Sequence, residues 1–491
     1  MSMKRKGKTW IKKCKKMTLS SIEYFLFLPT VFLLFWLVFG KTKTIQNIFI
    51  VASSLLFYGF WDWHFLGLVL LTVFSTFYSG LCFERIGDNN KKRKLVLWCT
   101  LILNLTILFF FKYYNFFIQA FADSLTLFGE HSSVSTLRII LPVGISFYTF
   151  TALSYTIDVY QRKVEPTKDI LAYFAYSTFF PSILSGPISR AQKQLPQFFR
   201  KRFFDYNKVV EGCKYLLLGA IMKMCLADKI GVYVDLIYDN YLNCSGNTLF
   251  LTSICYTIQI YADFAGYSLL AIGSGKLLGI EIPTNFIRPY FAKTITDFWR
   301  RWHISLTTWF RDYIYFPLGG NRCSKVRWIL NTMIVFMVSG LWHGANYTFL
   351  IWGAMHGMFM IIERFVYGDR IKQIPEGFTP INLLRWMITF LVVNFAWILF
   401  RLDSLRDAAI VLERIFTDRG HLYLAPFAKD FTIPALLIVF CFEFYSEKNN
   451  NRLLLMDNQT KTVRWVTYTV LLLFLVLSGS FEQTQFIYFQ F

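Results

Sequence analysis

Eleven apolar runs constrain what this chain can fold into more than any other feature. They lie near 22–39, 47–61, 65–83, 95–118, 139–158, 209–235, 250–278, 329–362, 383–400, 431–446 and 463–479. A hydrocarbon core of about 30 Å needs about 20 consecutive apolar residues in a helix. Lipid offers no partner for exposed backbone groups, so runs of this length have to be helical. The balance of residues agrees: 55% are apolar and only 16% charged, against about 25% charged in an ordinary soluble domain. The expectation is an all-α polytopic membrane protein with about ten to twelve tilted transmembrane and re-entrant segments. A basic tail at 1–20 precedes one domain at 21–491. The first run lacks a small-residue cleavage site, which reads as an anchor and not a removed signal.

The formal net charge is +21. In a soluble protein that would suggest nucleic acid, but nothing here resembles a nucleic-acid module. Lys and Arg gathered in cytoplasmic loops beside anionic lipid account for it. Residues 113–137 and 230–275 carry no Lys or Arg, so the loops near 119–136 and 236–249 should face outward. The loops at 84–94, 159–168, 190–208 and 288–327 are basic and should face the cytoplasm. Both flanks of 169–188 are then inside. That stretch, with Pro181 and Leu-Ser-Gly-Pro at 184–187, reads as a re-entrant hairpin or as a tilted helix with a mis-sided loop. The tail at 1–20 holds eight Lys or Arg and no acid. Its charge argues for the inside, whereas three spans before the 84–94 loop would put it outside. The nine cysteines are scattered, with no metal-binding or disulfide pattern, so no metal site is expected.

His343 stands in Gly-Leu-Trp-His-Gly-Ala-Asn (340–346), deep in the 329–362 run. An ionisable group at such depth costs about 2 kcal/mol or more. Imidazole moves a proton near neutral pH with little tuning. A membrane enzyme with an intramembrane acid/base group is the first functional reading. Gly340 and Gly344 flank it at the spacing of a helix-packing seam, which by itself needs no imidazole. His356, in Gly-Ala-Met-His-Gly (353–357), would lie about 20 Å away if one helix ran through both, which favours a structural role. Asp263, in Tyr-Ala-Asp-Phe-Ala-Gly-Tyr-Ser (261–268), needs a partner from another helix. His64, His131 and His421 sit at segment ends or in loops.

Residues 281–328 are the least membrane-like interior stretch. Between 288 and 327 there are eight Lys or Arg and two Asp. The spacing of Trp299, Trp302, Leu306, Trp309 and Phe310 predicts a single helix over 297–313, with His303 inside it. It is either an interfacial amphipathic helix or the wall of a cationic vestibule for a phosphate-bearing donor. Arg300, Arg301, Arg311 and Arg322 are the candidates for the second reading.

The strings at 298–315, 317–322 and 340–346 resemble the membrane-bound O-acyltransferase superfamily, and within it the integral-membrane alginate O-acetyltransferase branch. Residues 141–148, 261–268, 352–357 and 486–491 match in the same order. The resemblance implies a ring of tilted helices around a central tunnel, with the active-site block at 281–346. It makes His343 the catalytic residue and His303 a second active-site residue, with Asp263, Trp342 and Asn346 as possible supports. It further implies acetyl-CoA as cytoplasmic donor substrate, with no permanently bound cofactor. The acceptor would be an exported cell-envelope polysaccharide, the partner an extracytoplasmic protein of the SGNH hydrolase type, and the location the bacterial inner membrane. Two alternatives remain at this point. One is D-alanyl transfer to teichoic acid from a carrier-protein thioester; the other is a transporter of polysaccharide or lipid-linked precursor.

Overall fold

A computed structural model describes residues 17–127, 137–368, 377, 379–424, 431–449, 452–481 and 486–489. Most of the basic tail, His131 and the last two residues of the terminal string lie outside them. The described residues are helical, without a strand. Every apolar run is mainly helix. α1 (Ile22–Leu37), α2 (Lys43–Asp62), α3 (Leu66–Ile86), α4 (Asn90–Leu127) and α5 (Ile145–Tyr160) come first. The short α6 (Ile170–Ser177), α7 (Phe180–Ile183) and α8 (Ala191–Gln194) follow. Then come α9 (Tyr206–Ala220), α10 (Asp228–Tyr238), α11 (Gly246–Leu277), α12 (Ile295–Arg301) and α13 (Ile304–Phe310). The chain closes with α14 (Lys325–His343), α15 (Tyr347–Tyr367), α16 (Pro380–Arg401), α17 (Leu405–Thr417), α18 (Thr432–Lys448) and α19 (Lys461–Ser478).

By length and apolar composition alone, five described helical stretches can cross a bilayer; one of them, Lys43–Ile86, comprises α2 and α3. The other expected segments are helical too, but shorter or more polar. α11 shows why: most of its length is buried in protein, Asp263 and its serines and threonines included, so it need not be apolar all round.

Loops assigned to the same side by charge touch one another. Arg93, from the 84–94 loop region, donates to the carbonyls of Val159 and Tyr160, both at 3.0 Å. Arg190 pairs with Asp312 at 3.2 Å. Ser245, from the loop assigned outward, donates to the carbonyl of His421 at 2.6 Å, in a loop to which charge had assigned no side. The 169–188 stretch doubles back: α6 ends at Ser177, and the Tyr176 hydroxyl donates to the carbonyl of Ser189 at 3.2 Å. The chain between them is buried in protein, which satisfies the backbone groups that Pro181 and Gly186 free.

Two glycine contacts set a close helix crossing. A Cβ on Gly219 would sit 2.8 Å from the Gly266 carbonyl, and one on Gly273 would sit 2.7 Å from the Gly212 carbonyl. α9 and α11 therefore meet backbone to backbone along a small-residue stripe. After α9 the helix widens into a π turn at Ile221–Ala227 before α10. π turns leave ladder groups for other partners. Here the Met224 carbonyl accepts the amide of Ser480, 2.9 Å away, which ties the C-terminal segment to the core.

The 329–362 run is two helices. Ser324 caps α14 through the Arg327 amide, and α14 ends at His343. Gly344 is extended, and Asn346 caps α15 by accepting from the Thr348 amide at 3.1 Å. α15 returns along α14, with Gly340 against the Phe349 carbonyl and Gly353 against that of Phe336. The seam at Gly340 is real, but its partner position is Gly353 and not Gly344, whose Cβ position is filled by the Phe349 ring.

Candidate active site

His343 is the last residue of α14, where helix carbonyls lack intrahelical partners. Two side chains of α4 supply them. Lys112 Nζ donates to the carbonyls of Trp342 and His343 at 2.7 and 3.0 Å. The Tyr113 hydroxyl donates to that of Leu341 at 3.0 Å. A cation at this end also opposes the negative pole of the helix dipole. The imidazole is 2% exposed. It packs edge-on against Trp342, Trp352 and Phe400 at ring separations of 5.1, 5.2 and 5.2 Å, with Tyr488 at 5.6 Å. Its Nδ1 is buried without a hydrogen-bond partner.

The helix expected over 297–313 breaks at its centre. α12 stops at Arg301, and His303 adopts φ 42°, ψ 53°, the left-handed region, before α13 begins. A non-glycine residue there is strained by about 1–3 kcal/mol and needs surrounding structure to hold it. Asn285 does so. Its backbone carbonyl accepts from Ile304 N at 2.9 Å, and its side-chain oxygen accepts from Ser305 Oγ at 2.8 Å. The same amide oxygen lies 3.0 Å from His303 Nδ1. An amide oxygen only accepts, so Nδ1 carries the proton. Nε2 is then the free nitrogen, buried with no partner. The break turns the His303 ring inward, to 6.4 Å from the His343 ring and 4.6 Å from Phe264. Removing this clamp is measurable. Asn285→Ala is expected to cost about 1–3 kcal/mol of stability for stranded buried donors, and to lower turnover of the folded fraction; unchanged melting temperature and rate would show the clamp to be dispensable.

His356 differs. Its Nδ1 accepts the Trp299 indole N–H at 3.3 Å, an arrangement that suits a structural residue. The 20 Å separation expected for a continuous helix does not hold, because the run folds back at Gly344. Trp352 lies between the two rings, 5.2 Å from His343 and 5.0 Å from His356.

Two cavities approach the histidine pair. One, of about 50 Å³, is lined by His343, Trp342, Tyr488, Lys112, Ser146 and Ser185. It includes the 141–147 segment, on the side that the charge pattern places outward. The other, of about 620 Å³, is lined by Arg300, Arg311 and Arg364 together with Trp299, Ile304 and Ser339. Ser339 is one turn from His343 on α14, and the two cavities share no lining residue, so they flank that turn and do not form one continuous tunnel.

The four candidate arginines separate. Arg300 and Arg311 line the large cavity. Arg301 instead pairs with Asp297 at 3.0 Å and Glu447 at 2.7 Å. Arg322 is exposed and lines neither cavity, where Asn321 and Arg364 are found. At the start of this block burial opposes the charge of Glu281, yet Lys208 and Lys276 hold its carboxyl below the usual range. Of the possible supports, Trp342 stands between Phe147, His303 and His343. Asn346 is a helix cap whose amide also donates to the Asp403 carbonyl at 2.6 Å. Asp263 finds its cation in Lys223 of the π turn, 2.5 Å away, and Lys223 also pairs with Asp228 at 2.7 Å. The second oxygen of Asp263 accepts the Ile487 amide at 2.9 Å, which places the next residue, Tyr488, beside His343.

Lys112, Asn285 and Tyr488 escaped the sequence reading. Lys112 had a signal: a lone lysine inside the 95–118 run, costly by the same reasoning that exposed His343. Tyr488 had none beyond membership of a weak string, and Asn285 none beyond its place in the polar 281–328 stretch.

The model of the membrane-bound O-acyltransferase family matches residues 55–401. The chain belongs to that family. It is therefore an O-acyltransferase of the membrane, and the transporter alternative falls away. This acyltransferase is 37% identical over 399 residues to a probable alginate O-acetylase of Pseudomonas aeruginosa, covering 81% of this chain and 74% of that one. It is 34% identical to a peptidoglycan O-acetyltransferase of Helicobacter pylori, covering 79% of this chain and 77% of the relative. A teichoic acid D-alanyltransferase of Bacillus subtilis is more distant, 28% identical over 74% of this chain and 91% of its own.

Proposed function

We propose that this acyltransferase takes an acetyl group from cytoplasmic acetyl-CoA and passes it across the bacterial inner membrane, for O-acetylation of an exported cell-envelope polysaccharide. The observation that carries the reading is the pair of buried imidazoles 6.4 Å apart, with an arginine-bearing cavity on one side and a second cavity on the other. In this reading the thioester enters by the large cavity, where Arg300 and Arg311 meet the phosphates of the donor. His343 takes the proton of the incoming hydroxyl as general base. The free Nε2 of His303 accepts a hydrogen bond and orients that hydroxyl. Its other nitrogen is committed to Asn285, so a neutral His303 does not donate to the oxyanion. The surrounding Trp and Phe rings keep bulk water from the thioester. An extracytoplasmic partner of the SGNH hydrolase type completes delivery.

Relatives that acetylate favour acetyl over D-alanyl transfer, since the D-alanyltransferase is the more distant. The test is mass spectrometry of envelope polysaccharides from a deletion strain and from the strain with the gene restored. One sugar polymer is expected to lose O-acetyl esters and regain them. Intact esters in the deletion strain, or a label that enters from D-alanine and not from acetate, would overturn the proposal.

A further inference from the structure

We propose that Lys112 makes the small cavity beside His343 an anion site, in which its ammonium holds a negatively charged oxygen of the reacting system. Lys112 lies midway along α4, in an apolar run. Its Nζ is fastened by two carbonyls at the end of α14 and stands 5.7 Å from the centre of the Trp342 ring. An ammonium has three donors. Two are used by those carbonyls, and the third is left for the cavity that Lys112 lines with His343. Among the described residues no carboxylate lines this cavity; Ser146, Ser185 and Tyr488 supply its polar groups. The buried Lys223, by contrast, meets two carboxylates, Asp228 and Asp263. Capping a helix end needs only a neutral donor. An ammonium donor facing this cavity beside the proposed base, with no carboxylate in the described lining, suits an anion that comes and goes.

Two sources present that chemistry. One is the oxyanion of acyl transfer. The acceptor O–H gives its proton to His343 while its oxygen forms a C–O bond to the thioester carbonyl, whose π pair becomes the oxyanion. Collapse then breaks the C–S bond, and the leaving thiolate recovers the proton from His343. Lys112 transfers no proton in either half. The other source is a carboxylate or phosphate on the acceptor itself. The inference rests on the reading of His343 as base.

Lys112→Gln keeps N–H donors for the carbonyls and removes the charge; Lys112→Arg keeps both. If the anion is the oxyanion, Lys112→Gln lowers kcat by about 10²–10³-fold with KM for the acceptor unchanged. If it belongs to the acceptor, KM rises about tenfold or more at similar kcat. Lys112→Arg restores part of either loss. Formate, small enough for the cavity, is expected to inhibit the wild-type enzyme competitively, whereas neutral formamide does not. The formate experiment stands even if Lys112→Gln does not fold. Wild-type kinetics in a folded Lys112→Gln, or equal effects of formate and formamide on the wild type, would overturn the inference. His343→Ala separates the two claims: if it is inactive while Lys112→Gln is normal, only the anion site fails.

Discussion

His343→Gln is expected to reduce acyl transfer by about 10²–10⁴-fold, the contribution of a positioned general base, while leaving the fold intact. The expected sparing of the fold follows from how the residue is held. The imidazole Nδ1 has no hydrogen bond to lose. The end of α14 is secured through backbone carbonyls by Lys112 and Tyr113, which the substitution does not touch. Glutamine fills much of the space against Trp342, Trp352 and Phe400. His356→Gln is the matched control, because an amide oxygen can still accept the Trp299 indole and turnover should persist. Acetyl transfer by purified protein in proteoliposomes, read with the melting temperature, decides the matter. A His343→Gln enzyme with normal turnover would remove the general-base assignment.

The largest effect on stability is expected at Lys223. Its ammonium is 1% exposed and is shared by two buried carboxylates, Asp228 and Asp263. Lys223→Met leaves both without a cation, and breaking a buried ion pair from one side costs about 3–5 kcal/mol. Asp263→Asn should cost far less. The Lys223–Asp228 pair remains charge-balanced, and the amide oxygen can still accept the Ile487 N–H. Thermal unfolding in detergent would show Lys223→Met melting well below Asp263→Asn; equal melting temperatures would mean that the cluster is open to water. The same cluster anchors the segment carrying Tyr488, so a folded remnant of Lys223→Met is also expected to be less active.

Much of this architecture was legible in the sequence because membrane burial is read from composition. Every run long and apolar enough to need helical hydrogen bonding is mainly helix, and a histidine in such a run marked itself by its cost. The errors arose where local periodicity met tertiary demands. The spacing of aromatics over 297–313 is helical, but Asn285 holds His303 in a left-handed conformation that interrupts the helix. The run at 329–362 is apolar throughout, but Gly344 and the Asn346 cap turn it into two helices. That turn places Trp352 between His343 and His356. Arg301 belonged to a basic block whose total charge was plain. Only the arrival of Glu447 from a distant helix showed that its guanidinium is already engaged.

The sequence alone determined that the chain is helical, membrane-embedded and equipped with a histidine where one is costly, since those properties follow from residue type and run length. Tertiary structure alone decided which polar groups meet. Lys112 caps the helix of His343, Asn285 turns His303 toward it, and the Lys223–Asp263 pair brings Tyr488 from the end of the chain. Such pairings join residues up to hundreds of positions apart. Their energies depend on burial and geometry that no local pattern encodes.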